Sequence, residues 1–440
     1  MKCINCQTNN NLRERKSRGG RCVRCGHPFI FEPTAMRGFK ITDPLFAKAI
    51  ADVSVNDTLF FTPRQLFYLL DQRSRSQNDI LVVIAGAIYA NLFGAIFAGF
   101  TIYFGLSFAI PLMVSFGGRN VFFFVMLAIN ILTLAIFFVK SRYRKYLYKQ
   151  RQTFARALQI WGGIFTIGGF CLRQLFYSSE VFFASFALGI LSIYLGSRKI
   201  PKVTQEVIIT ENVFQDWINK WTAVNSPIAK MLPPPRDLNA SAAVSPDVRA
   251  YSFDRLVVCD RPEIAQFLIA NNFHFENNCA VLSITGYPQS IFDTTMQMLR
   301  RNPDLKVYAL HDCTPRGIGL VNHLRTSPNW FSDSSAIIID IGLLPRQIMA
   351  ADSNMFILNS QSVARDAREL PPAIRQDLSP EELHWLESGN YVELESFSPQ
   401  KLIQILNRGI AGSRDLGSDD SSLILLGGTD SSIYVVDSFG

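Results

Sequence analysis

From Ile80 to Gly118 the chain carries no Asp, Glu, Lys, Arg or His, and further apolar runs cover 121–139, 157–172 and 181–196. Apolar surface on this scale must leave water, because each side chain left exposed forfeits its burial energy. The first run exceeds the ~20 residues that one membrane-crossing helix needs. It reads either as one long tilted helix broken near Pro111 or as two short ones. Together the four runs predict an α-helical transmembrane bundle of about four spans over 80–200.

Charge orients that block. Residues 140–156 hold Lys140, Arg142, Arg144, Lys145, Lys149, Arg151 and Arg156 with no acid, and Arg198, Lys199 and Lys202 follow the last run. Basic loops stay on the cytoplasmic side of a membrane. The expectation is an integral membrane protein whose termini and soluble domains are all cytoplasmic, with the lipid bilayer as one partner. Within the block only Arg173, near an edge, interrupts the spans. Transport pathways place ionisable groups inside their spans, which favours an anchor over a transporter with regulatory domains. Asn91 and Asn130 read as helix–helix hydrogen bonds. The net charge of +7 does not by itself select nucleic acid, since much of it flanks the apolar runs. No secretory leader precedes the first cysteines, and the scattered later cysteines suit a reducing compartment.

Outside the block the chain is a series of distinct pieces. Residues 1–30 carry Cys3-x-x-Cys6 and Cys22-x-x-Cys25, separated by 15 residues. Two such knuckles supply four thiolates to one tetrahedral Zn²⁺, the pattern of a zinc ribbon with structural zinc. A piece this short buries no core, so metal binding would fold it; a redox role for the CxxC pairs is the other reading. His27 reads as a bystander. Between the knuckles, 13–21 reads as a basic loop. Its Arg13, Arg15, Lys16, Arg18 and Arg21 suit either phosphate contacts or a solvated or headgroup-facing loop. Residues 37–75 predict a helix over 43–52, a strand over 58–61 and a second helix with Thr62 as N-cap and Pro63 at N1. That order resembles half a winged helix. Residues 203–255 predict an amphipathic helix over 206–224, with Trp217 and Trp221 at a bilayer surface, then a Pro-rich linker.

Residues 256–406 alternate strands and helices, which implies a parallel sheet. Strands are expected at 256–258, 280–284, 307–310 and 337–341, and helices at 262–271, 289–301, from 380 and at 398–406. Residues 407–440 read as a mostly disordered tail. The stretch LKVYALHDCTPRGIGLVNHL runs a strand into Asp312 and a turn, the place where α/β sheets hold ligands and metals.

Several ordered landmarks here, LVVCDRPEIAQFL, AVLSITGYP, VYALHDCTPRGIGL and IGLLPRQI, resemble a Toprim domain. The resemblance is to the A subunit of topoisomerase VI and its relative, the meiotic double-strand-break transesterase. FTPRQLFYLL resembles the start of that family's winged helix, in which an arginine precedes a DNA-cleaving tyrosine; Arg64 and Tyr68 are the matching residues. Such an enzyme attacks a phosphodiester with tyrosine while Mg²⁺, held by a glutamate and two aspartates, stabilises the phosphoryl charge. The resemblance also implies a homodimer. This chain has Cys259 for the glutamate, followed by Asp260, and Asp312 with Thr314 for the paired aspartates. Only Asp312 and a shifted Asp260 remain as possible Mg²⁺ ligands. Tyr68 alternatively reads as a packing residue. The sequence thus favours a catalytically degenerate, membrane-anchored protein that binds nucleic acid or a protein partner. A DNA-cleaving transesterase or nuclease using Tyr68, Arg64 and Asp312 is the alternative.

Overall fold

The computed structural model describes residues 1–36, 40–74, 86, 88–89, 118–143, 148–176, 179–198, 207–235, 255–299, 305–332, 334–350 and 356–412. Nearly all of the run 80–118 (Asn91 included), the linker beyond 235 and the tail beyond 412 lie outside those residues. Two compact units divide the chain, one formed by 1–74 with 207–440 and the other by 75–206.

In chain order the first unit opens with α1 (Leu12–Ser17), α2 (Asp43–Val53) and α3 (Pro63–Ser74). The second unit holds α4 (Gly118–Arg142), α5 (Tyr148–Phe176) and α6 (Ser179–Ser197). The first unit resumes with α7 (Glu211–Val224), β1 (Arg255–Cys259), α8 (Pro262–Ala270), β2 (Cys279–Ser283) and α9 (Gln289–Leu299). Then follow β3 (Lys306–Leu310), α10 (Pro315–Ile318), α11 (Leu320–Thr326), β4 (Ile337–Asp340) and α12 (Pro345–Ala350). It closes with β5 (Leu358–Asn359), α13 (Pro380–Glu387), β6 (Asn390–Tyr391) and α14 (Pro399–Gly412).

Strands β1 to β4 form one parallel sheet in the order β2-β1-β3-β4. Side chains alternate across it, as a strand's period of two requires. Val257, Cys259, Val281, Tyr308 and Leu310 bury into one face with Leu402 and Leu406 of α14. Leu256, Val258, Leu282, Val307 and Ala309 bury into the other with Leu320 and Trp330. Both faces are covered, so the strands read as continuous apolar runs. The sheet's carboxyl ends deliver Asp260, His311, Asp312 and Asp340 to one edge.

A second core gathers the N-terminal helices. Thr62 and Gln65 cap α3 reciprocally, with Gln65 N–H donating to Thr62 Oγ1 at 3.3 Å and Thr62 N–H to Gln65 Oε1 at 3.0 Å. Phe46, Leu66 and Leu70 pack there with Phe214, Trp217, Ile218 and Trp221 of α7. The Trp221 ring lies 4.8 Å from Phe46 and 6.4 Å from Phe31, centroid to centroid. The two tryptophans therefore serve an internal aromatic core, which corrects their expected place at a bilayer surface. The helix also starts at Glu211 rather than 206. The expected strand at 58–61 reduces to a single parallel bridge between Phe61 and Met231. Of the expected tail, residues 407–412 complete α14.

In the second unit α5 and α6 form an antiparallel hairpin. Ser192 Oγ donates to the Leu158 carbonyl at 2.7 Å, and Trp161 Nε1 to Asn130 Oδ1 of α4 at 3.3 Å. Residues 148–156, expected in a basic loop, are the first turns of α5, with Arg151 buried and donating to the Ser141 carbonyl at 3.2 Å. Ile160, Ile164 and Ile167 of α5 and Phe183, Phe186 and Ile190 of α6 are exposed.

Among the described residues no helix is long and apolar enough to cross a membrane. This corrects the expected four-span bundle and, with it, the integral membrane placement. Helix α5 illustrates the reason: Arg156 and Arg173 bound its charge-free stretch 157–172. At 1.5 Å per residue that stretch is about 24 Å long, short of a hydrocarbon core of ~30 Å.

The hairpin closes through glycine. A Cβ on Gly189 would meet Thr166 Cγ2 at 2.5 Å and the Gly162 carbonyl at 2.8 Å, whereas one on Gly163 would meet nothing within 4 Å. Gly189→Ala is expected to lower stability by about 1–3 kcal/mol through overpacking, with Gly163→Ala close to neutral. Denaturant unfolding of the two variants checks this.

Candidate functional site

The N-terminal ribbon repeats one turn twice. In each, a cysteine N–H donates across the turn: Cys3 N–H to the Thr8 carbonyl at 3.0 Å, and Cys22 N–H to the His27 carbonyl at 2.9 Å. The returning residues are Gln7, at φ 59°, and Gly26, at φ 71°. Glycine suits that left-handed conformation, and Gln7 holds it at some cost. The turns bring Cys3 Sγ within 3.6 Å of Cys25 Sγ and Cys6 Sγ within 3.5 Å of Cys22 Sγ. All four sulfurs lie within 4.8 Å of one another and are positioned to hold a metal ion. A tetrahedral thiolate site with bonds of ~2.3 Å has edges of about 3.8 Å, so the spacing is compatible with structural zinc.

The cysteine surroundings pull in both directions. The Cys25 backbone N–H is the main influence drawing Cys22 down to about 6, while burial pushes Cys3 up to about 11. Asn10 Nδ2 donates to Cys22 Sγ at 3.6 Å while its Oδ1 accepts from Val23 N–H at 2.9 Å, fixing the second turn on the first. The expected basic loop is partly the helix α1, capped reciprocally by Asn11 and Glu14. Arg15 is buried and paired with Glu32 at 3.0 and 3.2 Å, which removes it from the candidate phosphate contacts. Lys2, Arg13, Lys16, Arg18, Arg21 and Arg24 are exposed, and Glu14 is the one acid in residues 1–30.

The second site lies at the carboxyl edge of the sheet, where α3 meets the segment after β6. Arg64 and Tyr68, one helical turn apart, both reach Glu393. Arg64 Nε and Nη2 donate to its two carboxylate oxygens at 2.6 and 3.1 Å, and the Tyr68 hydroxyl donates to Oε2 at 2.6 Å. Tyr68 is only 3% exposed. Burial first, and then the Glu393 charge, push its phenol well above the ordinary tyrosine value. Burial alone would raise Glu393, but the hydrogen bonds and charge of Arg64 hold it below the usual range.

Asp312 sits beside this pair, also 3% exposed. Its Oδ1 accepts from Leu394 N–H at 2.7 Å, and its Oδ2 lies 2.9 Å from Arg261 Nε in an ion pair that lacks hydrogen-bond alignment. Arg261 Nη2 donates onward to Glu395 Oε2 at 2.7 Å. Asp260 Oδ2 accepts from Asp312 N–H at 2.9 Å. Burial raises both aspartates, and for Asp312 the Asp260 charge adds to it.

His311 is fully buried, with Nε2 3.0 Å from Asp340 Oδ1 and Nδ1 2.8 Å from the Asp312 carbonyl. Both partners are acceptors, so both ring nitrogens donate and the ring is an imidazolium. Burial opposes that charge, but Asp340 outweighs it and lifts His311 to about 9. Gly342 makes the room: a Cβ there would stand 2.3 Å from the His311 ring.

The expected residues therefore fall into two groups. Cys3, Cys6, Cys22 and Cys25 converge; Arg64, Tyr68 and Asp312 also converge, with Asp260 behind them. The Mg²⁺ ligands expected from the resemblance do not fit. Among the described residues the carboxylates form no group of three or more able to hold a metal ion, and hydrogen bonds and guanidinium groups take oxygens of Asp260, Asp312, Glu393 and Glu395, leaving Asp260 Oδ1 without a partner. Cys259 is buried in the apolar core, and Thr314 Oγ1 caps α10 by accepting from Gly317 N–H at 3.0 Å. Sequence reasoning missed Arg261, His311, Asp340, Glu393 and Glu395. The signal for the last two was present in Tyr391-Val392-Glu393-Leu394-Glu395, where acids alternate with apolar residues.

Comparison with family models, with curated proteins and with solved structures found no match to this chain.

The purified full chain is expected to carry about one metal ion per molecule, lost in Cys22→Ser, as elemental analysis will show. His311 gives a pH signature. A raised folded value contributes stability that is fully present below the unfolded value of ~6.5. That contribution is lost as pH rises toward about 9. The urea midpoint should therefore fall between those limits, and this part of the fall should be missing in His311→Gln.

Proposed function

We propose that this protein is a non-catalytic nucleic-acid-binding protein. In this reading a Toprim-like α/β module with a closed site carries an N-terminal zinc ribbon as its polyanion-contacting face. The observation that carries the proposal is the state of Tyr68. A phosphodiester nucleophile needs a free or activated hydroxyl. Here the hydroxyl is buried, donates to a carboxylate that Arg64 already holds, and is pushed away from ionisation.

The binding face rests on charge. Six exposed basic side chains, Lys2, Arg13, Lys16, Arg18, Arg21 and Arg24, surround a ribbon whose one acid, Glu14, is occupied in a helix cap. Zinc would hold that surface rigid, since four thiolates on one ion supply the folding energy of so short a piece. Phosphate contacts of this kind are sequence-independent and weaken steeply with salt.

Fluorescence anisotropy of the zinc-loaded full chain with single- and double-stranded oligonucleotides tests this. Affinity should fall linearly on a log–log plot against salt. The double variant Arg18→Glu, Arg21→Glu should flatten that slope by about 2 on a duplex, since each phosphate contact contributes ~0.9. Binding indifferent to salt, or unchanged in the variant, would point to a protein partner instead. One observation favours the cleaving alternative, namely that Arg64, Tyr68 and Asp312 meet at one site. A covalent tyrosine–DNA adduct that vanishes in Tyr68→Phe would establish that alternative and overturn the proposal.

A further inference from the structure

The sheet edge concentrates Asp260, Asp312, Glu393 and Glu395 in a small buried volume. Carboxylates leave water at a cost of several kcal/mol each unless something opposes their charge. A divalent ion with oxygen ligands is one solution. A second is to supply the positive charge from the chain itself.

We propose that Arg261, seconded by Arg64, is the resident cation of this carboxylate site and takes the place a divalent metal ion would otherwise fill. Three observations carry this. Arg261 bridges two buried acids of this edge, 2.9 Å from Asp312 Oδ2 and 2.7 Å from Glu395 Oε2. Its guanidinium is anchored by position, because Arg261 is the residue before Pro262 and so sits at the start of α8, directly after the strand end that carries Asp260. The remaining oxygens are engaged as well. Leu394 N–H takes Asp312 Oδ1, Arg64 and Tyr68 take both oxygens of Glu393, and Asp312 N–H takes Asp260 Oδ2.

Asp260 Oδ1 is the exception, buried and without a hydrogen-bond partner among the described residues. One free oxygen does not make a Mg²⁺ site, since that ion is bound through one or two carboxylates presented together in octahedral geometry. With Arg261 removed, Asp312 Oδ2 and Glu395 Oε2 would be released beside Asp260 Oδ1, and the three become the makings of a divalent site. The inference does not depend on nucleic-acid binding: a chain that failed to bind oligonucleotides would still hold or lack this internal cation.

Mn²⁺ binding to the zinc-loaded full chain, read by electron paramagnetic resonance, tests it together with thermal unfolding with and without Mn²⁺. The wild-type chain is expected to leave Mn²⁺ free and to melt at the same temperature with or without it. Arg261→Ala is expected to bind Mn²⁺ about tenfold or more tightly than wild type and to regain with Mn²⁺ the stability it has lost. Adding Asp312→Asn should abolish that rescue. Mn²⁺ bound by the wild-type chain and lost in Asp312→Asn would overturn the proposal. So would an Arg261→Ala chain as stable as wild type in the absence of metal. Should Arg261→Ala fail to fold, the wild-type measurement alone still decides.

Discussion

The first unit depends on how Glu393 is buried. That carboxylate stands after β6 of the α/β portion, yet its partners Arg64 and Tyr68 come from a helix more than three hundred residues earlier. Left alone, a carboxylate at this depth would destabilise the fold by several kcal/mol. Paired bidentately with arginine and capped by a phenol, it becomes a fastening. It holds α3 in register against the sheet edge, and removing either partner strands the other. Gln65 Nε2 adds a neutral tie of the same kind, donating to the Phe397 carbonyl at 3.3 Å. Asn271 makes another, exchanging hydrogen bonds with the Phe60 backbone at 2.8 and 3.0 Å.

The same constraint shapes the sheet's own edge. Parallel strands bring their carboxyl ends together, and here four chain segments each deliver acids to one place. The chain meets that repulsion with internal counter-charges: Arg261 between Asp312 and Glu395, and the His311 imidazolium against Asp340. The backbone is fitted to these pairs, as Gly342 shows by admitting the His311 ring where a Cβ would collide with it. Most of these carboxylate oxygens are committed to the protein, with Asp260 Oδ1 left over. The interactions that secure the fold are those that engage these oxygens.

Much of the α/β portion was legible because its strands are short apolar runs bounded by Pro and Gly turns, with helix starts marked by Ser379-Pro380 and Arg261-Pro262. The four cysteines were equally plain, since their spacing alone implies convergence. The apolar block was misread in part because a cluster of basic residues was taken to mark a loop: Arg151 looked like a loop residue and is a buried side chain of α5. Trp217 and Trp221 misled for a related reason, because one aromatic stripe suits a bilayer surface and a protein core equally well. Arg261 was missed because its partners Asp312 and Glu395 are distant in sequence, and the alternating acids around Glu393 mark a half-buried strand without naming the helix it pairs with.

Under the proposed Toprim-like reading, the route back to a working metal site is uneven. Thr314 caps α10 through its side-chain oxygen, and aspartate is an equally good cap. An acid there is tolerated by the local fold. Cys259 differs, for it is fully buried among Val257, Ile264 and Leu310 and burial already pushes its thiol up. A glutamate in that place would bring a longer, charged side chain into an apolar core, with Arg261 already committed to Asp312 and Glu395. The desolvation cost falls before any metal can offset it. Restoring the chemistry therefore requires removing the internal cation and repacking the core beneath β1 in the same step. Removing Arg261 alone would free oxygens for an ion, but it would not supply the carboxylate that Cys259 stands in for.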